Sequence, residues 1–449
     1  MNGPGLPRVL ALFDLVVLAG ASMGPAFSLA TTMGPMIAAA GDLAPLALVL
    51  LTGVMTLAAI AFARMLLVMP DAGSSYSWIR SAFGTGAGAY GAWLLLLSNL
   101  FAVLATALPA GMYTLDLFAP RLAGSPLWIA AIGSVWILAS AVVLWLGLRP
   151  TSRVAAILLL GELVVLVATA AVASTKAPAA AVEHAPGHAS IGGIVVAMAI
   201  GIWMTDGWEV TASASEEVAG KRNAAGRGGI IGLLVTAAFL LACMIAYMRV
   251  GTVAGFSEHT EDSLAYVGAQ LGGGAWSVAI EATVLISLMA SLQATVVYLS
   301  RSVYAMGRDG VLPAAIGRLD RRGTPAASIV LVTLVVLGFT LSTGLSKSAR
   351  DAYDVVLNGS AIFLGALFMF STAAVARTFL RDVRARLTGV VVPLCATVLL
   401  GAILVAAVLQ SDLPTRLFIV TGTLAGLPLA AWRSRRSLPR HMGTTAAGP

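Results

Sequence analysis

Apolar runs long enough to cross a lipid bilayer recur along nearly the whole sequence. A helix needs about 20 apolar residues to span the hydrocarbon core of a membrane. We predict twelve such runs, at roughly 10–40, 43–68, 86–117, 126–147, 152–174, 190–218, 228–252, 275–304, 325–343, 352–377, 388–410 and 414–432. Runs of this number and length predict an all-α polytopic membrane protein with twelve transmembrane helices.

The composition agrees with that prediction. Of 449 residues, 59% are hydrophobic and only 10% are charged, which lies outside the usual range for a soluble domain. The mean hydropathy is +0.93. We expect no cleavable signal peptide, because the first apolar run continues past signal-peptide length and lacks a convincing cleavage site. The whole chain is therefore expected to form one transmembrane domain.

The positive charges are distributed according to membrane topology. The net charge is +7, and if the N-terminus is cytoplasmic most Lys and Arg residues fall in cytoplasmic segments. The positive-inside rule then places both termini in the cytoplasm, including the tail at 433–449, and agrees with an even number of helices. We expect a multi-pass protein of the plasma membrane (the cytoplasmic membrane in a bacterium) and no nucleic-acid partner.

Several kinds of chemistry are not expected. Cys243 and Cys395 lie inside predicted spans, which argues against a disulfide framework or a metal cluster. All four histidines fall in loops or in the tail, which argues against an intramembrane histidine relay. The sequence has no P-loop, so transport driven by ATP is not expected. We predict no cofactor and no enzymatic activity, and expect an ion gradient or exchange to drive any pumping.

The sixth predicted span is interrupted by polar residues. The segment 200–209 contains Asp206, Gly207 and Glu209 as well as two tryptophans. A carboxylate at the centre of a bilayer costs roughly 2.5–3.5 kcal/mol on insertion scales, so it is expected to face a cavity, a partner or a passenger. This segment predicts a polar site within the membrane.

The first predicted span is interrupted as well, at 20–25, where two glycines precede a proline. The two interrupted spans begin two successive sets of five helices, 10–174 and 190–377, which enter the membrane from opposite sides. Interrupted spans at corresponding positions of two halves indicate a transporter site near the midplane. The alternative is a pair of kinked helices whose freed backbone groups are satisfied by neighbouring helices.

Two further blocks stand at the predicted cytoplasmic face. Residues 69–80 read as a turn followed by a short amphipathic helix. Residues 300–313 read as a helix that leaves the bilayer with arginines in its last turns and stops at glycine and proline.

Together these blocks resemble the amino acid–polyamine–organocation (APC) superfamily of secondary transporters, from about residue 10 to 432. The matching features are the broken first span, Pro-x-Ala-Gly-Ser-x-Tyr at 70–76, Asp-Gly-Trp-Glu…Glu-Glu at 206–217, and Ala-Met-Gly-Arg-Asp-Gly-x-Leu-Pro at 305–313. The resemblance implies a five-plus-five inverted repeat (a LeuT-like fold) with discontinuous helices 1 and 6. Two extra helices at about 388–432 follow the repeats.

The resemblance also implies a substrate site at the two breaks. The substrate-binding residues carried over are Ser22, Met23, Gly24, Ala26, Phe27, Trp203, Asp206 and Gly207. In this family Trp203 matches an aromatic residue that closes over the substrate, and Glu209 matches an acidic position implicated in pH response. Pro25 departs from the family pattern, because it has no N–H group to offer to a carboxylate. The amides of Ala26 and Phe27 remain available for that role.

Alignment of the entry to the fifth span at 147–154 places Glu162 at a position of interest. Proton-coupled amino-acid members of the family have a lysine there, in place of a sodium ion. A carboxylate at this position can bind and release a proton, or it can bond neighbouring groups as structural glue. Ser287 and Ser291 allow a sodium site or simple helix–helix bonds. We predict that Glu162 and Glu209 take part in ion coupling, with a proton rather than sodium.

The predicted function is secondary active transport of an amino acid or a related small amine by alternating access. A carrier of polyamines or other organic amines is the nearest alternative, and a channel or a non-transporting receptor is a more distant one. The expected partners are the substrate and the lipid bilayer, and both a monomer and a homodimer remain open.

Overall fold

The structure is a computed structural model, and it describes residues 5–176, 190–260, 262–345, 349–411 and 413–436. Regular structure within these residues is helical, apart from one isolated parallel bridge between Leu10 and Val218. The α-helices are α1 Leu12–Met23, α2 Pro25–Ala40, α3 Ala44–Val68, α4 Ser75–Phe83, α5 Thr85–Phe118, α6 Pro126–Trp145, α7 Leu148–Thr175, α8 Ile191–Thr205, α9 Val210–Ser213, α10 Ala224–Tyr247, α11 Val253–Glu258, α12 Ser263–Gln270, α13 Ala275–Arg308, α14 Ala326–Thr343, α15 Ala349–Phe379, α16 Val392–Gln410, α17 Leu413–Ala425 and α18 Leu427–Arg436.

The prediction of an all-α polytopic membrane protein is confirmed for the described residues. They contain eleven helical segments that are long and apolar enough to cross a membrane. The first segment, Leu12–Val68, has 57 residues and includes both of the first two predicted runs. At about 1.5 Å per residue this is far longer than one crossing of a core about 30 Å thick.

The first segment is broken where the sequence predicts a break. Gly24 takes a left-handed conformation (φ 53°, ψ 70°) between α1 and α2, and its N–H donates to the carbonyl of Ala21. Glycine adopts this conformation without steric cost and commonly ends a helix. Pro25 then starts α2, at the position where its missing N–H matters least.

The second break is longer than the first. Helix α8 ends at Thr205, Asp206 is extended, and Gly207 has φ +97° before the single turn of α9. The sixth predicted span, at 190–218, is therefore interrupted where the sequence predicts it. A Cβ atom at Gly207 would lie 2.8 Å from the carbonyl carbon and the Oγ atom of Ser22. The two breaks are consequently in direct contact, and only glycine fits at position 207.

Burial distinguishes the inner helices from the outer ones. The most apolar window of α13 is 83% buried and that of α5 is 67% buried, whereas that of α7 is only 22% buried. Large exposed hydrophobic side chains such as Ile157 and Val164 of α7 are what a lipid-facing surface requires. Helices α5 and α13 therefore lie in the interior of the helix bundle, where α13 contacts both α1 and α9 beside the breaks.

Candidate functional site

A cavity lies where the two helix breaks meet. Its empty volume, including the open space at its mouth, is about 530 Å³. It is lined by Ser22, Met23, Phe27, Ser98, Asn99, Ala102, Thr106, Trp203, Asp206, Gly207, Glu209, Val210, Ser291, Thr295, Tyr298 and Leu364.

Most of the predicted site residues line this cavity. They are Ser22, Met23, Phe27, Trp203, Asp206, Gly207 and Glu209. Gly24, Ala26 and Glu162 are not among the lining residues. Gly24 forms the first break itself, and a Cβ atom there would lie 3.3 Å from the Cβ atom of Ser291.

The described lining of the cavity holds two acidic side chains and no basic one. Asp206 and Glu209 both line it, and Lys, Arg and His are absent from its described lining. The Oε2 atom of Glu209 accepts a hydrogen bond from the N–H of Gly207 at 2.8 Å, which fixes the carboxylate at the break. Charge-assisted hydrogen bonds to an ammonium group are favourable in such a setting. The cavity is therefore suited to the amino end of a small molecule.

Apolar side chains line part of the same cavity. Phe27 and Trp203 pack edge to face, with their ring centroids 6.2 Å apart and their planes at 85°. Met23, Val210 and Leu364 also line the cavity. A ligand with one polar end and one apolar end would match both kinds of lining side chain.

Glu162 is a residue of α7 whose side chain reaches the start of α2, outside the cavity lining. Its side chain is fully buried, and its Oε2 atom accepts a hydrogen bond from the N–H of Ala26 at 3.1 Å. The N–H of Phe27 donates to the Oγ atom of Ser287, also at 3.1 Å. A carboxylate is favoured at a helix N-terminus, where the unpaired N–H groups carry partial positive charge.

These contacts bear on the predicted carboxylate site. The amides of Ala26 and Phe27, which sequence reasoning offers to a substrate carboxylate, donate here to protein side chains. Pro25 has no N–H. Binding of a substrate carboxylate by these amides remains a prediction, and it requires Glu162 and Ser287 to release them first.

Comparison with known proteins identifies the family. The family model described as amino acid permease matches residues 10–425, which is most of the chain. The chain belongs to this family. The chain is also 26% identical, over 297 residues, to a branched-chain amino acid permease of Lactococcus lactis subsp. cremoris. That alignment covers 62% of this chain and 64% of the relative, slightly less than two thirds of its length.

A second relative matches a shorter part of the chain. An uncharacterised amino-acid permease of Schizosaccharomyces pombe is 32% identical over 79 residues, which cover 18% of this chain and 14% of the relative.

Some residues that line the cavity were not expected from the sequence. On α5 the polar positions Ser98 and Thr106 are spaced by eight residues, and on α13 Thr295 and Tyr298 follow Ser291 at intervals of four and three. Such spacing places side chains on one face of a helix. Polar residues at helical spacing within an apolar run are thus the sequence signal for these lining residues of α5 and α13. The Oγ atom of Ser291 also connects α13 to the first break, because it donates to the carbonyl of Ser22 at 3.0 Å.

Proposed function

We propose that this permease is a secondary active transporter that carries an amino acid across the membrane by alternating access. The observation that carries the proposal is the cavity at the contact of the two helix breaks, whose lining combines two acidic side chains with apolar ones. Family membership supports the substrate class. Because one relative is named a branched-chain amino acid permease, leucine, isoleucine and valine are the first substrates to test.

The proposed fold is the twelve-helix, five-plus-five inverted repeat. The segment Leu12–Val68 supports it by holding enough residues for two crossings, with a 3₁₀ turn at Gly41–Leu43 between them. The repeats correspond to about 10–174 and 190–377, and two further helices follow at about 388–432. Both termini are assigned to the cytoplasm. The last part of the tail, 437–449, lies outside the described residues.

Each site residue has a proposed role. Asp206 and Glu209 face the amino group, because they are the charged residues of the cavity lining. The backbone of 22–27 takes the carboxylate end. Trp203 closes over the substrate, and its contact with Phe27 links this closure to the start of α2.

Glu162 carries the coupling proton in this proposal. When ionised it holds the N–H of Ala26. Protonation weakens this hydrogen bond, since a charge-assisted bond is about twice as strong as a neutral one. The Ala26 amide is then freed for a substrate carboxylate, so that proton binding and substrate binding favour each other. We propose a proton rather than sodium as the coupling ion.

A carrier of polyamines or other carboxylate-free amines is a second candidate. It is favoured by the occupied amides of Ala26 and Phe27, by Pro25 and by the absence of a positive side chain from the described cavity lining. A channel or a receptor would not accumulate a solute against its gradient.

Competition between substrates separates these candidates. Purified protein in liposomes is tested for uptake of labelled leucine and labelled putrescine under an imposed pH gradient, each with an excess of the other. The proposal predicts saturable, concentrative uptake of the amino acid. Saturable putrescine uptake that no amino acid competes with would overturn it in favour of the amine carrier.

A further inference from the structure

A strained turn, residues 69–75, connects the end of α3 to the first residue of α4. Its apex is Ser74, with φ 41° and ψ −117°, and this is the only non-glycine residue with positive φ in the described part of the chain. Such a conformation is unfavourable for a residue with a side chain and persists only where the surrounding structure enforces it. Ser74 is fully buried. The strain therefore marks a position held in place by its neighbours.

The apex of this turn contacts the wall of the cavity. The Oγ atom of Ser74 donates to the hydroxyl oxygen of Tyr298 at 3.3 Å, and Tyr298 lines the cavity. Ser74 itself is not a lining residue. The turn thus packs behind Tyr298, on the side of this residue away from the cavity.

The base of the turn is held by Arg308, the arginine of the Ala-Met-Gly-Arg-Asp-Gly block. Nη2 of Arg308 lies 2.6 Å from Oδ2 of Asp71, and Nη1 lies 2.8 Å from Oε1 of Glu216. The same Oε1 atom accepts the N–H of Ala72 at 2.9 Å. Arg308 and Asp71 are partly exposed, with 33% and 19% of their side chains accessible. One arginine therefore ties the turn to the segment that follows the second helix break.

Helix α4 holds the same region from the other side. Nη1 of Arg80 lies 2.6 Å from Oδ2 of Asp309, and the hydroxyl of Tyr76 donates to the same atom at 3.3 Å. Burial, together with the nearby Asp309 carboxylate, raises the pKa of Tyr76 to about 12. The phenol consequently remains a neutral hydrogen-bond donor near neutral pH.

Helix α13 carries both ends of the arrangement. Tyr298 and Arg308 are ten residues apart, or about 15 Å along the helix. Between them Arg301 forms a buried ion pair with Glu217, with 2.9 Å between Nε and Oε1. The turn, the segment Ser215–Glu217 and the end of α13 therefore occupy the space between the cavity and the face that bears Arg80 and Arg308, which we call the basic face.

We propose that the 69–75 turn is a gate that closes the cavity toward the basic face, with Arg308 as its latch. The proposal rests on the proposed transport function. Opening the gate requires Arg308 to release Asp71 and Glu216, and Ser74 to leave Tyr298. Withdrawal of the turn also relieves the strain at Ser74, which keeps the closed gate from being too stable to open.

Thiol labelling tests the gate without any need for transport. The reporter is Ala102→Cys, a cavity-lining position, in a background with Cys243→Ala and Cys395→Ala. A membrane-impermeant maleimide is applied to the basic face in inside-out vesicles and to the other face in right-side-out vesicles. Arg308→Ala loses two partly exposed ion pairs. We therefore expect the reporter thiol to be labelled from the basic face about fivefold faster than in the protein that keeps Arg308. No increase is expected from the opposite face.

Control variants define the outcomes. The exposed Arg321, mutated to Ala, should leave the labelling rate unchanged. Asp71→Asn is nearly isosteric and should raise the rate even if Arg308→Ala folds poorly. Unchanged labelling in both Arg308→Ala and Asp71→Asn, with monodisperse folded protein, would overturn the gate.

A matched pair at the apex separates the hydroxyl from the strain. Ser74→Ala and Ser74→Gly both remove the hydroxyl, but only glycine relieves the strain of the closed turn. Labelling should therefore be faster in Ser74→Ala than in Ser74→Gly, and the reverse order would contradict the proposal. Since labelling requires no substrate, unchanged labelling with intact uptake rejects the gate alone. Changed labelling without uptake of any amino acid or amine rejects the transport function alone.

Discussion

Replacement of Glu162 by glutamine should separate substrate binding from gradient-driven accumulation. The fully buried carboxylate accepts the N–H of Ala26 at 3.1 Å. The side-chain carbonyl of glutamine can accept the same hydrogen bond, so the loss is limited to the charge assistance, about 1 kcal/mol. Glu162→Gln is therefore expected to fold and to bind substrate, but it has no carboxylate with which to bind and release a proton.

The size of the structural effect is checked with a second variant. Glu162→Ala removes the acceptor of the buried Ala26 amide, which costs about 1–3 kcal/mol, and it leaves a cavity as well. The thermal stability should fall in the order wild type, Glu162→Gln, Glu162→Ala. A Glu162→Ala variant as stable as wild type would mean that the contact with Ala26 does not support the start of α2.

The assay compares two modes of transport in proteoliposomes. Glu162→Gln should lose accumulation driven by a pH gradient, down to the level seen when the gradient is collapsed, and should retain exchange of labelled for unlabelled substrate. Glu281→Gln, which removes a carboxylate from α13 outside the described cavity lining, serves as the control and should retain both. Accumulation by Glu162→Gln that still follows the pH gradient would refute the coupling role.

Three other changes test the site and its supports. Gly207→Ala should destabilise the protein by about 1–3 kcal/mol in a thermal unfolding assay and impair uptake, because φ is +97° and the new Cβ atom would clash with the first break. The control is Gly53→Ala on α3, where a Cβ atom meets open space, and it should be neutral or slightly stabilising in the same assay. Arg301→Met should cost about 3–5 kcal/mol because it leaves Glu217 buried without its partner, and an additional apolar replacement of Glu217 should recover much of the loss. Glu209→Gln keeps an acceptor for the Gly207 amide and should fold, but its uptake should lose the pH dependence that wild type shows.

The helix breaks were predictable because their signals are local. The residues alone indicate where the helices are interrupted, namely at Gly24 and Pro25 and at the glycine after Asp206. The length of the second break was not predictable in the same way. The predicted span continues to about 218, but helix α8 already ends at Thr205. The contact of Gly207 with Ser22 joins residues far apart in sequence, so a local pattern does not show it.

The partners of the predicted residues depend on contacts distant in sequence. Glu162 was singled out by resemblance, but its bond to the Ala26 amide joins residues 136 positions apart. The 70–76 and 305–313 blocks were likewise visible as motifs, whereas the link from Asp71 to Arg308 spans 237 positions. No local sequence pattern indicates a contact between residues so far apart in the chain, so the fold is needed to show which motifs contact each other.

Uptake by a cavity variant tests the central claim most directly. Proteoliposomes with wild-type protein and with Asp206→Asn are compared for initial rates of labelled leucine, isoleucine and valine uptake over a range of concentrations. Loss of a charge-assisted bond to the amino group predicts an apparent affinity about tenfold to a hundredfold weaker in Asp206→Asn. Wild-type uptake of these amino acids should be saturable and concentrative. Equal affinity in the two proteins would contradict the placement of the substrate at the two breaks.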